Sequence, residues 1–273
     1  MKPDDIVVQD QHLVDGIFVK EFRPARGSGT ATPLLFVHGA MHGWWAWEPW
    51  LPLFAAAGWR SYALSLRNHT GSHSVPDNDY LSLDALAYVD DVNAVMRWLG
   101  RRPVLIGHSM GSLIAQKAAE RQASAAMILI CGLGPGQLGR LRDPLPLDKP
   151  VMRPKEDIGR AFFNQISPTE LSRYYDRLTP ESPGVINRCN DGTLSVDRSR
   201  IEGPTLVVSG GSDKIPLHAG AEIARFYDAQ LLTVPDGSHN FFMEAPALPV
   251  ANRVIQWLFR HVEAPNAPEP TDP

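Results

Sequence analysis

The chain has 273 residues, of which 44% are hydrophobic and 21% charged, a composition that excludes general disorder, a fibrous repeat and a disulfide-built miniprotein. Lys and Arg number 26 against 30 Asp and Glu, a net charge of −4, too near balance to hold a phosphate backbone, so no nucleic-acid partner is expected. Length alone does not demand two domains, because single α/β domains routinely run to about 200–250 residues.

Met1 to Asp5 carries no basic stretch followed by an apolar one, and no uncharged apolar run nears the ~20 residues that span a bilayer. A cytoplasmic protein without a membrane partner is expected. Ile6 to Phe22 predicts a strand pair turning within His12 to Gly16. Pro33 to Val37 is a continuous apolar run, the mark of a strand buried on both faces. A helix over Trp47 to Ala57 and a strand over Arg60 to Leu64 follow. In Ser82 to Leu99, Ala85, Val89, Val92, Met96 and Leu99 make a helical stripe, with Ser82 as cap, Asp84 in the first turn and Gly100 as stop. Pro103 to Ile106 predicts a strand, Met110 to Arg121 a helix and Ala126 to Cys131 a strand. This alternation specifies a mostly parallel sheet with helices on both faces.

Between Gly132 and Ile201 the regularity stops and prolines gather, with helical pieces over Asp157 to Ile166 and Thr169 to Arg177. A structureless loop of that length is improbable, so a small helical insertion with proline-rich hinges is expected. Alternation resumes with a strand over Pro204 to Val208, a helix over Leu217 to Tyr227, a strand over Gln230 to Val234 and a helix from Ala247 to His261. The division is therefore 1–132 and 202–263 as one core, 133–201 as a lid, and 264–273 as a disordered tail. Cys131 and Cys189 stand in no CxxC or Cys/His spacing, and buried free thiols are expected.

Gly107-His108-Ser109-Met110-Gly111 lies where a strand meets a helix. That G-x-S-x-G turn holds a serine on a strained backbone between two small residues, with helix N–H groups beside it. A serine hydroxyl needs a histidine base and an acid to orient that base. His239 follows the strand ending at Val234 and Asp213 follows the strand ending at Val208, so all three emerge at the carboxyl ends of strands. Asp90, Asp91, Asp197 and Asp236 are competing acids in poorer positions, and His218 is a competing base placed within a helix. His108 is expected to project away from Ser109. The oxyanion donors are the backbone N–H of Met110 and of Ala40, which follows the His38-Gly39 turn.

These four motifs, in this order, resemble those of the α/β-hydrolase superfamily over residues 33–261. The resemblance implies the α/β-hydrolase fold. His38 to Trp47 is similar to the oxyanion loop of the plant methylesterase and hydroxynitrile lyase branch. Hydroxynitrile lyases of that branch carry a lysine shortly after the catalytic histidine, whereas Asn240, Phe241, Phe242 and Met243 stand here. Relatives with an aspartate nucleophile are disfavoured by Ser109.

The expected activity is cleavage of a small-molecule carboxylic ester or lactone through an acyl-enzyme, without cofactor or metal. Carbon–carbon bond hydrolysis and thioester hydrolysis use the same triad and stay open, as does a non-catalytic ligand-binding or receptor role. Met41, Trp44, Phe162, Phe163 and Phe241 are the candidate pocket residues, with Ile166, Leu171 and Tyr174 in an apolar roof. Trp45 is close enough to the turn to approach the pocket, whereas Trp47 and Trp50 are expected to pack a helix on the sheet. His38, His42, His69 and His73 show no metal-binding spacing and are expected to be exposed or to brace loops.

Overall fold

The computed structural model describes residues 7–25, 32–215, 217–244 and 247–262; the predicted tail at 264–273 lies outside them. One eight-stranded sheet organises the chain, in the order β1-β2-β4-β3-β5-β6-β7-β8. Strands β1 (Val7–Val14) and β2 (Ile17–Pro24) form an antiparallel hairpin. Its turn is Asp15-Gly16, tighter than the predicted span, because both residues take positive φ (50° and 82°) and so match the twist of the flanking strands. β2 joins β4 (Ser61–Leu64) antiparallel. From β4 onward every pairing is parallel, through β3 (Leu34–Val37), β5 (Val104–His108), β6 (Ala126–Ile130), β7 (Thr205–Gly210) and β8 (Gln230–Val234).

The continuous apolar runs of β3, β5 and β6 are buried throughout because each face of the sheet has its own core. Leu34, Phe36, Ile106 and Ile128 point to one side with Trp47, Trp50 and Phe54; Leu35, Val37, Leu105 and Leu129 point to the other with Val89, Val92 and Leu113. The period of two along each strand is what divides them. Trp47 stacks on Phe242 at 4.5 Å, so the tryptophans after the first turn pack the core as expected.

Three helices outside the segment between β6 and β7 have boundaries that differ from the sequence expectation. A 3-10 turn over Trp44–Trp47 precedes α1 (Leu51–Ala56), whose start is set by Pro52, a residue suited to the first turn, where an N–H has no acceptor. A short helix α2 (Asp77–Leu81) takes up the segment before α3 (Ala85–Leu99), so Ser82 ends α2 and the cap of α3 is Asp84, whose carboxylate accepts from the Leu86 N–H. α8 (Gly220–Tyr227) begins later than predicted and leaves His218 in the preceding loop, where its Nδ1 accepts from the Gly134 N–H. α4 (Met110–Arg121) and α9 (Ala247–His261) match the expected ranges.

Between β6 and β7 lie α5 (Lys155–Phe162), α6 (Pro168–Tyr175) and α7 (Pro183–Asn190). The sequence expectation has no α7; Pro183, one of the prolines gathered in this segment, is a first-turn proline behind a Ser182 cap. Among the described residues, no helix is long and apolar enough to cross a membrane.

Candidate active site

Ser109 sits between β5 and α4 at φ 52° and ψ −121°, a backbone conformation costly for any residue with a Cβ. Its neighbours hold it there. The Ser109 N–H donates to the Ile130 carbonyl at 3.1 Å, and the Ser109 carbonyl accepts from the Leu133 N–H at 3.2 Å. The two flanking glycines are required by close backbone approach. A Cβ on Gly107 would lie 2.5 Å from the Gly111 carbonyl oxygen, and one on Gly111 would lie 2.3 Å from that of His38. The motif therefore lets β5, α4 and the β3 terminus converge on the serine.

Asp213 follows β7 and His239 follows β8. His239 Nδ1 and Asp213 Oδ2 are 2.8 Å apart, and Asp213 Oδ1 accepts from the Ile215 N–H at 2.8 Å. A carboxylate can only accept, so Nδ1 carries a proton, and in the neutral tautomer that this bond selects Nε2 keeps its lone pair. His239 is buried, and it lines one cavity of about 280 Å³ together with Ser109, Ala40 and Met110. The Ala40 N–H has no hydrogen-bond partner among the described residues. Met110, first in α4, has no intrahelical acceptor for its own. Three of the four competing acids are engaged elsewhere: Asp91 with Arg67, Asp90 with Arg121, and Asp197 with Ser199.

Several histidines predicted as exposed or loop-bracing are buried, and each has a distinct partner. His38 Nε2 accepts from the Leu66 N–H at 3.0 Å, tying the β3 terminus to the β4 terminus. His42 Nδ1–H donates to the Ala40 carbonyl at 2.7 Å, and its Nε2 accepts from Asn240 at 3.0 Å, so one ring joins the loop carrying Ala40 to the loop carrying His239. Burial lowers His42 to about 4, which keeps it neutral as these bonds require. His73 is the exposed member of the set.

His108 does not simply point away. Its ring stands 4.7 Å from that of His239 and lines the same cavity, because its Nε2–H finds an acceptor in the His239 carbonyl at 3.0 Å. Burial, then the charge of His239 when protonated, hold its pKa well below the ordinary value.

The largest omission of the sequence reading is Glu181, completely buried before α7. Its Oε2 accepts from the Met41 N–H at 3.0 Å and lies 3.2 Å from His69 Nε2; its Oε1 accepts from Tyr88 at 2.6 Å, Tyr80 at 3.3 Å and the Ser182 N–H at 3.0 Å. Desolvation opposes its charge, yet His69 and these donors lower it to about 2. Nothing in its sequence neighbourhood marks it, since apart from the adjacent Ser182 its partners come from four separate segments.

Of the predicted pocket residues, Met41 and Phe162 line the cavity; Trp44, Phe163 and Phe241 do not. Trp44 faces Lys20 and Arg177 instead. Phe163 stacks on Tyr174 at 6.1 Å, and Phe241 packs toward Trp50 at 6.2 Å. Trp45 likewise stacks on Tyr174, at 6.2 Å, rather than entering the cavity. Ile166 and Leu171 pack on the core below. The cavity wall is completed by Leu133, Arg142, Leu145, Val151, Arg153, Ile186, Cys189, Asn190, Ile215 and Leu217, most of them from the segment between β6 and β7.

Both cysteines are free and buried. The ligand atoms of Cys131, Asp213 and His239 lie within 4.8 Å of one another. Burial and the Asp213 charge raise the Cys131 thiol well above its ordinary pKa, so it stays protonated, the form least suited to metal binding or nucleophilic attack.

Comparison with known proteins places this arrangement in context. Pheophorbidase of Raphanus sativus is 23% identical over 239 residues, covering 78% of this chain and 89% of its own. Non-heme chloroperoxidase CPO-A1 of Kitasatospora aureofaciens is 26% identical over 247 residues, covering 80% and 88%. Among solved structures, a putative aryl esterase from Burkholderia cenocepacia superposes with a TM-score of 0.69 at 17% identity, over 93% of this chain and 98% of that one. Methylesterase MES16 from Arabidopsis gives 0.68 at 18% identity, over 84% and 99%. Residues 34–253 match the sequence profile of the alpha/beta hydrolase family, from β3 into α9. The chain belongs to the alpha/beta hydrolase family.

Proposed function

We propose that the protein is a serine hydrolase of small carboxylic esters or lactones, working through an acyl-enzyme. The observation that carries this reading is that His239, oriented by Asp213, shares one cavity with Ser109 on its strained turn. His239 Nε2 takes the Ser109 proton as Oγ attacks the carbonyl, and Asp213 holds the tautomer and stabilises the imidazolium. The Ala40 and Met110 N–H groups receive the oxyanion; its collapse breaks the ester C–O bond as the His239 imidazolium returns the proton to the departing alcohol oxygen, and water, deprotonated by the same histidine, then releases the acyl group and frees Ser109. The segment 133–201 acts as the lid that shapes the pocket, since it supplies much of the cavity wall. Relatives described as esterases agree with this reading.

Turnover of a 4-nitrophenyl ester panel from acetate upward tests it. Multiple turnovers by the wild type, lost in Ser109→Ala, are expected. A single burst equivalent without turnover would instead assign the fold to ligand binding.

A further inference from the structure

Arg142 and Arg153 stand on the wall of the Ser109 cavity, both half-buried. Among the described residues, neither side chain has a hydrogen bond or ion pair and no Asp or Glu lines the cavity. Most arginines elsewhere are paired: Arg60 with Glu21, Arg67 with Asp91, Arg177 with Glu48. Two guanidinium groups left together in an otherwise largely apolar cleft repel each other. Burial, and then the Arg153 charge, lower the pKa of Arg142. The backbone around them is pinned rather than loose. The Leu141 and Leu145 N–H groups donate to Asn190 and Asn187 of α7 at 2.9 and 2.7 Å. Val151 exchanges backbone bonds of 2.8 and 2.9 Å with Glu181, two residues before Arg153.

Resting on the hydrolase reading above, we propose that the substrate carries a compact oxyanion, a carboxylate or a phosphate, which Arg142 and Arg153 bind while its ester or lactone carbonyl lies at Ser109. The guanidinium fork fits either group, and an anion between the two arginines removes their mutual repulsion. The remaining wall, including Met41, Leu133 and Phe162, suits the short apolar stretch between anion and carbonyl. A cleft of this sign also concentrates anionic substrates before binding.

The test compares the 4-nitrophenyl monoester of glutaric acid with its methyl-capped diester, which is uncharged at the same end. The wild type is expected to favour the charged ester in kcat/KM by about tenfold or more. Arg142→Met combined with Arg153→Met brings the ratio to about one, whereas the exposed Arg160→Met keeps it. Calorimetry with glutarate and with butyl phosphate on Ser109→Ala protein is independent of turnover. Saturable binding of either anion, lost with the two arginines, supports the proposal and tells which oxyanion fits. If neither ester is hydrolysed but this arginine-dependent binding holds, the hydrolase reading fails and the anion site stands. A wild-type ratio near one, or anion binding that is absent or the same with and without both arginines, overturns the anion site and leaves the hydrolase reading intact.

Discussion

Glu181→Gln removes one charge and little volume from the most heavily bonded side chain near the cavity. The carboxylate accepts at both oxygens, from Met41 N–H and His69 on one and from Tyr80, Tyr88 and Ser182 N–H on the other. An amide has one accepting end, so its NH₂ must face one of these sets. Tyr hydroxyls and a neutral imidazole can turn to accept, but a backbone N–H cannot, and either Met41 or Ser182 loses its partner. Breaking a buried charged pair with a stranded donor costs about 3–5 kcal/mol, or about 5–9 °C in Tm for a chain of this size. The pH dependence supplies a second check. The folded pKa of Glu181, about 2, lies below the ordinary 4.5, so its contribution is complete above pH 4.5 and is lost as pH falls toward 2. Urea unfolding of both proteins is expected to show a full difference at pH 7 and a smaller one at pH 3.5. Because Met41 adjoins Ala40, kcat also falls. A stability loss under about 1 kcal/mol at pH 7, or a difference that grows on acidification, would refute this account of the residue.

Three further outcomes are expected. Asp213→Asn leaves the fold intact by circular dichroism but lowers kcat about 10³–10⁴-fold by admitting the wrong His239 tautomer; a drop below tenfold would remove Asp213 from the mechanism. Gly111→Ala sets a Cβ against the His38 carbonyl and costs about 2 kcal/mol or more, so a Tm equal to wild type would contradict the close packing behind the elbow. His38, His42 and His108 are held below the ordinary histidine pKa by burial, so the unfolded chain protonates first and stability drops as pH falls from 6.5 toward 4. His42 alone, lowered from 6.5 to about 4, accounts for about 3 kcal/mol of that drop. His69, raised by Glu181, acts in the opposite sense: its stabilisation is complete below 6.5 and is lost as pH rises through its folded value. Denaturation midpoints that climb steadily from pH 7 to pH 4.5 would show the three to be protonated in the fold.

Features written in local patterns are legible in the sequence alone. The buried strands β3, β5 and β6 announce themselves as uncharged β-rich runs, and Ser109, Asp213 and His239 each follow a strand directly. Properties that depend on contacts between distant segments are not. Glu181 is one acid in a proline-rich stretch until the fold brings it His69, Tyr80, Tyr88 and Met41. His42 looks like an ordinary loop residue until Asn240 meets it from the other end of the chain. Nearness in sequence to the pocket's landmarks suggests Trp44, Phe163 and Phe241 for its wall, but large aromatic side chains reach whichever partner the fold offers: Lys20 and Arg177 for Trp44, Tyr174 for Phe163 and Trp50 for Phe241. Beside Met41 and Phe162, the pocket wall is built by Arg142, Arg153 and α7, which no periodicity distinguishes from their neighbours.

The central claim is that Ser109 is a nucleophile activated by His239. Intact-mass and peptide spectrometry after treatment with a fluorophosphonate probe tests it directly. One probe is expected per chain, on the peptide containing Ser109, with labelling abolished in Ser109→Ala and slowed in His239→Ala. No labelling of the wild type, or equal labelling of Ser109→Ala at another residue, would contradict it.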